Sequence, residues 1–88
     1  MTGPYTVEIA RRAQRSMRRL ERRDQQRIRA TIDLLAQNPR PPGCAAMVGE
    51  PNTYRVRVGV YRIVYEVPDD RLVIQVVRVG HGRDVYRT

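Results

Sequence analysis

The sequence contains no lysine, a single cysteine, a single histidine and no long apolar run. Each lack excludes something. One cysteine, Cys44, allows neither an internal disulfide nor a cysteine-based zinc centre within the chain. His81 is far away in sequence and no Cys–His signature surrounds either residue. Cys44 is therefore read as a small, half-buried side chain rather than a nucleophile. Nothing approaches the roughly 18 consecutive apolar residues of a membrane-spanning helix. The first residues also lack the charged-then-apolar pattern of a secretory signal. A cytoplasmic protein without membrane association is expected. The carboxylates are scattered: Asp69-Asp70 falls in a turn and Glu50 stands alone, so neither a metal site nor a cofactor is expected.

What the sequence has is arginine. All 17 basic residues are arginine, against 9 acidic ones, for a net charge of +8. Genomic base composition can remove lysine, so the arginine count alone says little about arginine chemistry. The charge says more. A surplus of this size on 88 residues favours a polyanion or an acidic protein partner. The length fits one domain over residues 1–88. Such a chain buries only about 60–65% of its unfolded surface, which leaves a thin stability margin.

Tyr5–Ile9 alternates apolar and polar residues behind Gly3-Pro4 and reads as a short strand. The period then changes. Ala10, Ala13, Met17 and Leu20 recur at helical spacing, with Arg11, Arg15, Arg18 and Arg22 on a neighbouring face. A break is expected near Arg23-Asp24, with Asp24 capping a second helix whose stripe is Ile28, Ile32 and Leu35, widened by Leu34. Asn38-Pro39 ends that helix, because a residue before proline avoids the helical region. Nine arginines fall between Arg11 and Arg29. On helices they read as a solvated face or as a surface for RNA phosphates or an acidic partner. Asn38–Asn52, rich in proline and glycine, reads as a long loop anchored to the core by Met47-Val48.

The remainder reads as three strands. In Tyr54–Val58, Tyr54, Val56 and Val58 face one way and Arg55 and Arg57 the other. Gly59-Val60 fits a two-residue type II′ turn. That register opposes Val58 to Tyr61, Arg57 to Arg62 and Val56 to Ile63. Arg55, Arg57 and Arg62 then share a face, where like charges across a strand pair are destabilising unless an anion binds. Tyr54, Tyr61 and Tyr65 fall on the apolar side and are expected in the core. Val67–Arg71 closes a second hairpin onto an interior strand, Leu72–Val79. Its register stays open: an odd loop count sets Arg78 beside Arg62, an even count beside Tyr61. Gly80 and Gly82 permit a bend that brings His81, Arg83 and Tyr86 to the end of the last strand. The expected fold is α+β in the order β-α-α-β-β-β, a helical hairpin packed on a small antiparallel sheet.

The stretch Tyr54-Arg-Val-Arg-Val-Gly-Val-Tyr-Arg-Ile-Val-Tyr65, the closing Val79-Gly-His-Gly-Arg-Asp-Val-Tyr86 and the loop Asn38–Cys44 resemble the RelE toxins of the RelE/ParE superfamily. The resemblance spans nearly the whole chain. It implies a toxin of a type II toxin–antitoxin pair that cleaves mRNA in the ribosomal A site. It further implies neutralisation by a cognate antitoxin, and operator DNA binding only through the antitoxin complex. ParE-type members share the fold but act on DNA gyrase without cutting RNA. A third reading is an inert basic module that serves only antitoxin binding.

Metal-free RNA cleavage needs a base for the 2′-OH, an acid for the 5′-oxygen and cations on the phosphorane. By the resemblance, Arg62 matches the central phosphate-stabilising arginine, and Arg55 and Arg57 match basic positions that bind RNA or help activate the nucleophile. His81 and Tyr86 are the candidates for proton transfer, and Arg83 is a further catalytic cation. Three departures stand out. Gly82 occupies the place after the histidine where relatives often carry arginine. Ala45-Ala46 replaces a stretch often rich in lysine. The glutamate base of the YoeB branch has no counterpart.

Overall fold

The structure is a computed structural model, and it describes residues 3–83. Its elements are β1 (Thr6–Ile9), α1 (Arg11–Arg18), α2 (Arg22–Gln37), β2 (Ala45–Ala46), β3 (Thr53–Val58), β4 (Tyr61–Glu66) and β5 (Val73–His81). The α+β class is borne out, with both helices on one side of one sheet. The sheet is mixed rather than wholly antiparallel, in the order β1-β5-β4-β3-β2. The β3–β4–β5 meander is antiparallel, whereas β1 joins β5 in parallel. Alternation in Tyr5–Ile9 reports a strand but neither its partner nor its direction. β2 adds a short antiparallel edge inside the stretch expected to be loop.

α1 buries Ala13 and Met17, and α2 buries Ile28, Ile32, Leu35 and Ala36. These spacings of three and four put one stripe of each helix on the sheet. Leu34 does not widen the stripe, being 62% exposed. The break between the helices comes earlier than expected, at Arg19–Glu21. Leu20 N–H donates to the Met17 carbonyl at 3.1 Å, and the Gln25 side-chain amide donates to the Leu20 carbonyl at 2.8 Å. Asp24 is therefore not the cap. It stands in the first turn of α2, where a carboxylate favours the helix dipole. Asn38, with extended backbone before Pro39, ends α2 as expected. At the other end of the chain's path, Gly3 passes so close to α2 that a Cβ would overlap the Ala36 carbonyl, which accepts from Tyr5 N–H at 3.1 Å.

The core lies between the helices and the inner face of the sheet, with Ile63, Tyr65, Ile74 and Val76 fully buried. Tyr65 donates to the Pro39 carbonyl at 2.7 Å, which ties the 38–44 loop to the core. The ring of Tyr54 stacks on Tyr65 at 5.9 Å, and the Arg40 guanidinium lies 5.2 Å from the Tyr54 ring centre. Met47-Val48 is not a side-chain anchor. Val48 is 100% exposed, and the loop is held instead by Met47 N–H donating to the Thr53 carbonyl at 2.8 Å. Among the described residues, no helix is long and apolar enough to cross a membrane.

Candidate functional site

The β3–β4 register is the expected one: Val58 opposes Tyr61, Arg57 opposes Arg62 and Val56 opposes Ile63. Gly59 has φ +60° and Val60 does not have positive φ, as a type II′ turn requires. Arg55, Arg57 and Arg62 therefore share the face turned away from the helices. The β4–β5 register matches neither expected alternative. A bulge between Val64 and Tyr65 leaves Val77 unpaired and sets Arg78 opposite Val64, which in turn opposes Arg55. The Val77 carbonyl accepts from Arg12 Nε at 3.0 Å.

Two rows consequently cross the outer face: Arg57–Arg62–Gly80, and Arg55–Val64–Arg78. Arg78 was not among the expected site residues; the odd-count alternative put it beside Arg62, whereas the structure sets it one row away, across Val64 from Arg55. The signal was a phase slip in the apolar alternation, since the core takes Ile74 and Val76 but then Val79. Val64 is 4% exposed although it lies outside the helix-side core. Two like charges about 4 Å apart repel by about 1–4 kcal/mol for effective dielectric constants between water and a protein surface. A phosphate bound between guanidinium heads converts that repulsion into attraction, and planar guanidinium offers it paired donors.

Arg62 does not turn along its strand toward Glu66. Its Nη1 donates to the Tyr61 carbonyl at 3.0 Å, and its head lies over Gly82. Gly82 N–H donates to the Val60 carbonyl at 2.9 Å, fastening the turn after β5 to the β3–β4 turn. This turn brings the His81–Gly82–Arg83 segment to the end of the arginine face. His81 itself opposes Tyr61, so its side chain belongs to the helix side, with the two rings edge to face at 6.4 Å. Its Nδ1 accepts from Arg83 N–H at 3.2 Å, so the neutral ring carries its proton on Nε2. Arg83 is exposed. Tyr86 lies outside the described residues.

Tyr61 donates to Asp24 at 3.2 Å, joining the first turn of α2 to the same end of the sheet. Burial raises the Tyr61 phenol above its ordinary value, and the hydrogen bond to Asp24 adds to this. Burial likewise pushes Tyr65 up, with nearby Cys44 contributing. Both phenols are structural donors, in keeping with their expected place on the apolar side. The nine arginines from Arg11 to Arg29 are all exposed. They add a basic helical surface distinct from the outer sheet face.

The family model described as ParE toxin of the type II toxin–antitoxin system parDE matches residues 7–86. Toxin RelG of Mycobacterium tuberculosis is 28% identical over 88 residues, covering 96% of this chain and 98% of RelG. The crystal structure of the archaeal RelE–RelB complex from Pyrococcus horikoshii matches with a TM-score of 0.81 at 26% identity, over 91% of this chain and 98% of that one. The isolated E. coli RelE toxin matches with a TM-score of 0.77 at 25% identity, over 88% and 83% of the two chains. The matched residues run through both helices, the arginine-bearing strands and the turn at Gly82, and the chain belongs to the ParE toxin family of type II toxin–antitoxin systems, within the RelE/ParE superfamily.

Proposed function

We propose that this toxin is a metal-independent endoribonuclease that cuts mRNA in the ribosomal A site. The observation that carries the reading is the outer face, where Arg55, Arg57, Arg62 and Arg78 share two adjacent rows across β3, β4 and β5 with the Gly82 turn at their end. The 2′-OH attacks the adjacent phosphorus, its proton passes to a base, and the 5′-oxygen leaves with a proton from an acid. The product is a 2′,3′-cyclic phosphate or the 3′-phosphate from its hydrolysis. Arg62 stabilises the phosphorane, and Arg55 and Arg57 hold the RNA. Arg83 supplies a further cation at the scissile phosphate. His81, as imidazolium, gives the leaving 5′-oxygen its proton once its ring turns from the helix side, beside Tyr61, toward the arginine face. Tyr86, as its phenolate, takes the role of accepting the 2′-OH proton.

The cognate antitoxin is the protein partner. The archaeal relative is seen in complex with RelB, and here the exposed arginines suit an acidic segment that orders on binding. Operator DNA is met only through that complex, and the protein works in the cytoplasm. The second reading, a ParE-type toxin directed at DNA gyrase, is favoured by the description of the matching family and by the lack of an arginine at Gly82. Induction of the toxin without its antitoxin separates the two. Primer extension shows cut mRNA and stalled translation if it is an RNase. Intact mRNA with DNA-damage signalling supports the gyrase reading, and harmless overexpression an inert module.

A further inference from the structure

Gly82 occupies the position where relatives often carry an arginine, yet the space above it is filled. A Cβ built on Gly82 would lie 2.9 Å from Arg62 Cζ and 3.2 Å from each of Nη1 and Nη2. Equal distances to the two nitrogens, with the carbon nearer, mean that the Cβ direction meets the guanidinium plane close to its normal. The Arg62 head thus turns its flat face to the place a side chain at Gly82 would occupy, and the glycine leaves it a seat there. One edge of that head is fixed as well, by Nη1 donating to the Tyr61 carbonyl at 3.0 Å. The seat is itself fixed, because Gly82 N–H is bound to the Val60 carbonyl at 2.9 Å.

From this geometry we infer that Gly82 is a positioning residue for Arg62: having no side chain, it sets the plane of the guanidinium and so the direction in which the remaining N–H groups meet a phosphate. The function assigned to Arg62 rests on the endoribonuclease reading; the seat does not. A methyl group at 82 stands closer to Cζ than van der Waals contact allows, so the head must lift or rotate. Misplacing a catalytic group by about 1 Å costs roughly 100-fold in rate, and a displacement of about half that size costs roughly tenfold.

The test compares the full chain with Gly82→Ala, Arg62→Ala and the double variant in ribosome-dependent mRNA cleavage. The ¹H–¹⁵N resonance of Arg62 Nε is recorded for the native chain and Gly82→Ala, with thermal melting as the check on folding. The expected result is a kcat for Gly82→Ala lower by about tenfold with KM nearly unchanged, a shifted Arg62 resonance, and no added loss from Gly82→Ala in the Arg62→Ala background. Unchanged cleavage with an unshifted resonance overturns the inference, as does a Gly82→Ala loss that is equally large without Arg62. If Arg62→Ala cuts at the native rate, the catalytic reading of Arg62 fails. The resonance alone then decides the seat, a shift supporting it and no shift overturning it.

Discussion

The Arg62 guanidinium occupies the place a side chain at Gly82 would take, with a Cβ at that glycine falling 2.9 Å from Arg62 Cζ. A strand residue and a turn residue twenty positions apart therefore share one small space. The chain has settled that competition in favour of the strand arginine. This contact decides how changes at the end of the arginine face are read.

Gly82→Arg, which restores the residue common among relatives, is expected to lower cleavage rather than raise it. The added charge arrives with a Cβ that evicts the Arg62 head, and the two cations then repel. Cleavage rates for Gly82→Arg and the native chain check this. A several-fold gain would mean that the seat carries no advantage.

Arg78→Ala is expected to weaken RNA binding. In the register seen here Arg78 stands across Val64 from Arg55, on the face that would hold the RNA backbone. Losing one phosphate contact to single-stranded RNA should flatten the slope of log affinity against log salt by about 0.7. Titrations at several salt concentrations measure it, with Arg71→Ala, in the hairpin loop at the other end of β5, as the unaffected control.

Arg57→Ala is expected to trade function for stability. Arg57 directly opposes Arg62, and removing one of two facing like charges should stabilise the sheet by about 0.2–1 kcal/mol. For a domain of this size that is a rise in Tm of about 1–8 °C, accompanied by weaker RNA binding. Thermal melting at low and high salt reads the effect, which should shrink as salt screens the pair.

Tyr65→Phe is expected to cost about 1–3 kcal/mol, because it leaves the buried Pro39 carbonyl without its donor. Alkaline pH offers a second check. Burial raises the Tyr65 phenol above the ordinary value of 10.0, so above that pH the unfolded chain loses the proton first. The stability this phenol contributes is complete below about pH 10 and falls as pH rises further, by at most about 1.4 kcal/mol per pH unit. No lysine titrates in that range to mask it. Urea midpoints at pH 9 and 11 should converge between the native chain and Tyr65→Phe. A constant gap would place the phenol in contact with solvent.

The outer face was legible wherever local rules fix geometry. Period-two alternation and the Gly59-Val60 turn together determine the β3–β4 register, and with it the grouping of Arg55, Arg57 and Arg62. Arg78 and His81 were not placed, because their positions depend on a bulge at Val77 set by how β5 meets its neighbours. That bulge sends His81 to the helix side, beside Tyr61. β2 escaped notice because two alanines carry no strand preference and pair only once β3 exists. The contact between Arg62 and Gly82 depends on a rotamer and a long-range turn, which no sequence spacing encodes.

The central claim, that the outer arginine face cuts RNA through Arg62, is tested most directly by primer extension on mRNA after inducing the native toxin or Arg62→Ala without antitoxin. The expected result is discrete cuts and growth arrest for the native chain, with both lost in Arg62→Ala while its melting temperature is retained. Undiminished cutting and arrest by Arg62→Ala would contradict it.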